Sequence, residues 1–277
     1  MIYFISDQHL GLDLPKNDDK HREHTLVEFL RTIKPHCERL FILGDLFDYW
    51  FEYGTVIPKQ HIRTLAALSD FADSGIPVDY LIGNHDFGHR HFFEHELGIR
   101  IHAGDLALAL HGKRFYLAHG DGKIPHDFTA RIVRSLLRNP LSLRLWQWIH
   151  PDIGIRLAAW ASRRSRMKAR ENEDNLHFRQ ERTALEHFAL YQFQQGYDVV
   201  IMGHLHKECF MQARRGEIHS ALAQSFSAIS PHSCSLHDTS HVYCNLGTWL
   251  NAPFYAVFEP SGGVIQLSLF EQHQQPL

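Results

Sequence analysis

Leu40-Phe41-Ile42-Leu43-Gly44-Asp45-Leu46-Phe47-Asp48 is the stretch on which the fold turns. A short apolar run closed by glycine reads as a buried strand that stops at a turn. In an open α/β sheet, ligands bind just beyond the carboxyl ends of the strands. Asp45 and Asp48 therefore stand where a site would form. The same grammar recurs along the chain. Ile2-Tyr3-Phe4-Ile5 leads to Asp7-Gln8-His9, and Tyr80-Leu81-Ile82 leads to Gly83-Asn84-His85-Asp86. Phe115-Tyr116-Leu117-Ala118 leads to His119-Gly120-Asp121, and Val199-Val200-Ile201-Met202 leads to Gly203-His204-Leu205-His206. Strand ends that all release Asp, Asn or His can converge on one point. Carboxylate and amide oxygens with imidazole nitrogens suit a hard or borderline divalent metal.

Composition agrees with such a fold. A chain of 277 residues with 44% apolar content can bury one large core with a cap. A formal net charge of −3 gives no general attraction to nucleic acid, and no obligate protein partner is evident. The four cysteines (Cys37, Cys209, Cys234, Cys244) show no C-x-x-C spacing. They are expected to be reduced, buried thiols of a cytosolic protein. No basic leader precedes the first strand, so no signal peptide is expected. No apolar run is long enough for a transmembrane helix.

Helical spacing is found over residues 21–34, 60–74, 90–97 and 180–195, and strands over 2–5, 40–43, 78–82, 100–103, 106–110, 114–118, 199–202, 241–246, 252–258 and 264–270. Alternating strands and helices, then a strand-rich end, predict an α/β fold with a second sheet packed on the first. Residues 1–123 and 181–277 are assigned to the core, and 124–180 to a helical cap insertion. Residues 216–240, rich in Ser, Ala and His, are read as a long loop whose histidines, with His241, are solvated.

The insertion has its own chemistry. Between Arg131 and Arg170 there are ten Lys/Arg against one acid, a local net of +9 that leaves −12 for the rest. Leu136, Leu137, Leu141, Leu145, Trp146, Trp148, Ile149, Leu157 and Trp160 alternate with these charges. Helix breaks are expected near Asn139-Pro140 and His150-Pro151. Basic, aromatic, amphipathic helices suit an anionic membrane surface or an acidic amphiphile. An ordinary cap with a solvated basic face fits the composition equally.

Taken together, D-x-H-L-G, G-D-x-F-D, G-N-H-D, H-G-D and G-H-x-H resemble the calcineurin-like metallophosphoesterases. The resemblance implies a sandwich of two mixed β-sheets flanked by helices. It also implies two divalent metal ions: manganese by family preference, with Zn²⁺ or Fe also suited to the donors. Carried over, Asp7, His9 and His206 hold one ion, Asn84, His119 and His204 the other, and Asp45 bridges them. His85 is the catalytic group beside Asn84, with Asp48 or Asp86 orienting it. The insertion and the flanks Asp7-Gln8-His9-Leu10, Leu43–Trp50 and Leu246-Gly247-Thr248-Trp249 are similar to the UDP-2,3-diacylglucosamine diphosphatases of lipid A biosynthesis. That likeness implies hydrolysis of a pyrophosphate bond to UMP and lipid X, with an amphiphilic nucleotide-sugar lipid as substrate. It places the protein in the cytoplasm, peripheral on the anionic inner face of the bacterial inner membrane. Arg163, Arg164, Ser165, Arg166 and Lys168 would touch substrate, although only Ser165 retains the family's Asn-Ser-Lys pattern. The best-known proteobacterial enzymes have Arg where this chain has His85. The alternatives are a metallophosphoesterase acting on another nucleotide diphosphate or phosphodiester, and a non-catalytic scaffold of the same fold.

Overall fold

The computed structural model describes residues 1–12, 18–123, 139–157, 160, 176–214, 233–236 and 240–271. A seven-stranded sheet has the order β4-β3-β2-β1-β11-β12-β9, and a five-stranded sheet has the order β5-β6-β7-β10-β8. The strands of the first are β1 (Ile2–Ile5), β2 (Arg39–Ile42), β3 (Val78–Leu81), β4 (Arg100–His102), β9 (Ser233–Ser235), β11 (Phe254–Glu259) and β12 (Val264–Leu269). The second contains β5 (Leu106–Leu110), β6 (Lys113–Ala118), β7 (Val199–Met202), β8 (Glu208–Arg214) and β10 (Ser240–Leu246). Both sheets are mixed: β1 to β4 run parallel, as do β6, β7 and β10, with antiparallel strands outside them.

Each central strand is apolar on both faces because both faces are covered. In β1, Ile2 and Phe4 face the second sheet with Phe41, Leu43, Phe115, Val199 and Ile201. Tyr3 and Ile5 face α1 (Asp19–Ile33) and α2 (Ile62–Asp73), against Leu26, Phe29, Leu65 and Phe71. On the far side, Val200, Met202 and Tyr243 lie under α6 (Leu176–Gln194), against Leu185, Ala189 and Phe193. The result is a helix–sheet–sheet–helix sandwich, as expected from the sequence.

Parallel register explains why the motifs meet. Ile5 pairs with Ile42, and Ile42 with Tyr80. In the second sheet Ala118 pairs with Met202, and Met202 with Asn245. Neighbouring chains therefore leave each sheet at nearly the same level. The pairing continues into the turns, where Asp7 N donates to Gly44 O at 3.1 Å and Gly203 N to His119 O at 2.9 Å.

Three expectations are corrected. Ser233–Ser235 is a strand on the edge of the first sheet, within the segment read as loop. His241 is buried rather than solvated, with Nδ1 2.9 Å from Tyr197 O and its ring stacked on Phe193. Helix α6 begins at Leu176, so the described helix already starts inside the proposed insertion. After the short α3 (Phe92–His95), the proposed cap's helices start where prolines were expected to set them: α4 (Pro140–Trp146), capped by Asn139 Oδ1 accepting from Leu141 N, and α5 (151–157).

Candidate metal centre

Five of the strand-end residues have left-handed backbone: Asp7 (φ 58°), His9 (47°), Asp45 (53°), His204 (72°) and His206 (57°). Non-glycine residues seldom adopt this region, and strain of this kind concentrates at functional sites. Here it turns short side chains back over the strand ends into one buried focus.

Each carboxylate is half used. Asp7 Oδ2 accepts from Ser6 Oγ at 2.5 Å and from His204 N at 3.0 Å. Asp45 Oδ1 accepts from His85 N at 2.9 Å. The other oxygens, Asp7 Oδ1 and Asp45 Oδ2, are buried and have no hydrogen-bond partner among the described residues, an arrangement that costs free energy unless something else satisfies them. Imidazole nitrogens face them instead. His9 Nε2 and His206 Nε2 are 3.5 and 3.3 Å from Asp7 Oδ1, and 3.0 Å from each other. On the other side His119 Nε2 is 3.3 Å from Asp45 Oδ2 and 2.9 Å from Asn84 Oδ1, and His204 Nδ1 is 3.1 Å from the same amide oxygen. Asp45 Oδ2 also lies 3.8 Å from His9 Nε2, so it faces both groups. Orphaned oxygens turned toward imidazole nitrogens fit divalent cations. Asp7, His9, Asp45 and His206 can hold one ion through one atom each.

The surrounding groups fix these donors. His119 Nδ1 lies 2.8 Å from Leu43 O, which assigns the proton to Nδ1 and leaves Nε2 as the donor atom. His9 Nδ1 lies 3.5 Å from Asp48 Oδ1, the carboxylate–histidine arrangement common behind metal ligands. Buried Arg22 donates to His9 O at 3.0 Å and Leu12 O at 2.7 Å. Burial pushes Asp45 up, but His119, His85 and His9 outweigh it and hold the carboxyl well below its ordinary range. Burial likewise opposes ionisation of Asp7, and His206 and His9 overcome it. Burial and the nearby His119 bring His204 down to about 4, which keeps it neutral and able to donate a lone pair.

His85 and the acids proposed to orient it divide. The His85 ring is partly exposed beside His9, with Nδ1 3.3 Å from Asp48 O and 3.5 Å from Asp48 Oδ1. Asp86 has another task. Its oxygens accept from Leu46 N at 2.9 Å, Gly83 N at 2.8 Å and the Tyr80 hydroxyl. It braces the two turns that carry Asp45 and Asn84, and burial and Asp45 raise its carboxyl to about 6. Arg163, Arg164, Ser165, Arg166 and Lys168 lie outside the described residues.

Part of the proposed cap packs against the segment that follows Asp48. Trp146 Nε1 donates to Tyr49 Oη at 2.9 Å, and its ring meets Phe51 at 6.3 Å. Tyr49 follows Asp48 directly in the chain, and Phe51 lies two residues further on. The apolar residues Leu141, Leu145, Trp148, Ile153, Leu157 and Trp160 remain exposed, Trp148 at 90%.

Residues 1–208 match the calcineurin-like phosphoesterase family. The chain belongs to that family. Among relatives within this phosphoesterase family, a UDP-2,3-diacylglucosamine hydrolase of Porphyromonas gingivalis is 36% identical over 170 residues, 60% of this chain and 63% of that protein. A protein of the same name from Nitrosococcus oceani is 35% identical, covering 52% of this chain and 55% of its own length. One from Pectobacterium carotovorum is 30% identical, covering 77% and 85% respectively. The matched part thus spans less than two thirds of the first two relatives and most of the third. Among the described residues no helix is long and apolar enough to cross a membrane.

Sequence reasoning missed Arg22, Tyr80 and Asn245 around the site. A buried arginine in an amphipathic helix and a lone asparagine in the apolar run of β10 were the available signals.

Proposed function

We propose that this protein is a dinuclear-metal phosphoesterase that hydrolyses the diphosphate of UDP-2,3-diacylglucosamine to UMP and lipid X, the 1-phosphate of the diacylated glucosamine. One observation carries the reading: two donor groups share Asp45 Oδ2 beside a Trp-bearing cap docked on Tyr49. Asp7, His9 and His206 would hold one ion, and Asn84, His119 and His204 the other, with Asp45 between them. Manganese is the ion proposed. When bound, two such ions polarise the phosphoryl group, acidify water and neutralise charge that develops in the displacement.

The chain's own residues supply the rest. Water adds to the phosphorus on the nucleotide side, and the bond from that phosphorus to the bridging oxygen breaks. Asp48 accepts from the Nδ1–H of the His85 imidazolium and so turns its Nε2–H toward the substrate. His85 there donates a hydrogen bond or proton to the phosphoryl or leaving oxygen. Asp86 and Tyr80 keep the two turns fixed while charge moves. Apolar cap residues from Leu141 to Trp160 would cover acyl chains and rest on the headgroup region of an anionic membrane. The ten basic residues between Arg131 and Arg170 favour such a surface. His85, where the best-known proteobacterial enzymes of this kind carry Arg, favours a second reading in which the substrate is another nucleotide diphosphate.

Purified protein with Mn²⁺, given UDP-2,3-diacylglucosamine in mixed micelles, should release UMP. Rapid cleavage of ADP-ribose or dinucleotides with the acylated substrate left intact would overturn the lipid assignment and support the second reading.

A further inference from the structure

We propose that the carboxyl end of β10, through Asn245 and Thr248, is a positioning element that holds the ligand-bearing turns of β1 and β7 in their strained backbone conformations. This rests on the metal assignment proposed above. Both residues lie beyond residue 208, where the family match ends, and neither is a metal donor.

The geometry is specific. Thr248 Oγ1 donates to the carbonyl of Asp7 at 3.0 Å, and Trp249 N donates to the same carbonyl at 3.1 Å. Asn245 Nδ2 donates to the carbonyl of Gly203 at 2.7 Å, while Gly247 N donates to Asn245 Oδ1 at 3.3 Å. Asn245 and Thr248 are buried, so a lost bond is not replaced by bulk water. Their acceptors belong to two turns that include four of the left-handed residues, Asp7, His9, His204 and His206. Such backbone persists only where its surroundings over-determine it.

The two turns also touch. A Cβ on Gly203 would lie 2.1 Å from Ser6 Oγ and 2.3 Å from Asp7 Oδ2. A shift in either turn therefore moves the other, and with it the Asp7 Oδ1, His204 and His206 donors. Besides local bonds to Tyr243 and Leu250, Asn245 reaches the turn after the adjacent β7, and Thr248 reaches the turn after β1 in the other sheet, at residues that carry or adjoin the proposed ligands.

The test uses the full chain, freed of metal and titrated with Mn²⁺ by calorimetry, with metal-free thermal unfolding measured beside it. Thr248→Val removes the donor at nearly constant volume, Thr248→Ser keeps it, and Asn245→Asp removes the amide donor. Thr248→Val and Asn245→Asp should weaken Mn²⁺ binding by ~10–100-fold, while the metal-free protein still unfolds cooperatively with its Tm lowered by only a few degrees. Thr248→Ser should stay near wild type. If Thr248→Val fails to fold, Asn245→Asp against Thr248→Ser decides. Wild-type affinity in the donor-less variants, together with lost binding in Asp45→Ala, overturns the positioning role alone. Equal binding in wild type and Asp45→Ala overturns the metal assignment and this role with it.

Discussion

Gly83→Ala removes nothing from the protein, yet it should disable the site. Gly83 is absent from the positive-φ glycines, so alanine is acceptable to the backbone there. The obstacle is space. An added Cβ would lie 2.1 Å from Asp45 Oδ1, 2.5 Å from Asp45 N and 2.9 Å from Asp45 Cγ. Ordinary contact begins near 3.4 Å, so the carboxylate or the backbone must yield by roughly 1 Å, in a region packed like a crystal. Asp45 Oδ1 is tied to His85 N at 2.9 Å. Displacing it breaks that bond and swings Oδ2, the oxygen between His9 and His119. Overpacking of this kind costs ~1–3 kcal/mol, several degrees of Tm for a chain of this size. Gly104→Ala, where nothing lies within 4 Å, is the control. Metal-free thermal unfolding and Mn²⁺ titration read both effects. A Gly83→Ala protein that melts and binds Mn²⁺ like wild type would refute the close-packed Asp45 geometry.

Other outcomes follow from the same structure. His85→Ala should lower kcat by ~10²-fold or more while Mn²⁺ binding, measured by calorimetry, stays within a few-fold of wild type; parallel loss of both would show that His85 serves the metal site. Trp146→Phe removes the hydrogen bond to Tyr49 and should raise KM for the acylated substrate severalfold, about the worth of one hydrogen bond. Turnover of a small soluble phosphodiester should stay constant. His89 is buried among Trp50, Tyr80 and Phe93, and burial lowers its pKa from 6.5 to about 3. Between those values the unfolded chain binds a proton that the folded protein refuses. Its share of stability is thus whole above pH 6.5 and falls by ~2 kcal/mol by pH 5. His89→Phe should flatten the acid side of a Tm-against-pH curve, and an unchanged slope would contradict a buried neutral His89.

Much of the site could be read before the structure because its signals are local. Each ligand turn follows an apolar run, and parallel register does the rest: Ile5, Ile42 and Tyr80 pair side by side, so the residues after them emerge together. Residues that act across strands were not legible. Asn245 in Val242–Leu246 reads as a polar interruption of a strand. Its partner, the Gly203 carbonyl, lies 42 residues away in sequence. Adjacency also misled. Asp86 sits next to His85 in the chain, yet its oxygens turn to Leu46, Gly83 and Tyr80. His241 lies at the edge of a Ser- and His-rich stretch, but it is the second residue of β10 and pairs with Ala213. The cap's helix starts were readable because prolines fix helical φ at the first turn.

In the proposed function Asp45 joins two metal positions at the meeting point of the two sheets. Direct metal analysis after Mn²⁺ loading, paired with calorimetric titration, tests it. Wild type should bind two ions per chain. His206→Ala should lose the ion beside Asp7 and His9, His119→Ala the ion beside Asn84, and Asp45→Ala should weaken both. A single ion per chain, or two ions held by Asp45→Ala with wild-type affinity, would contradict it.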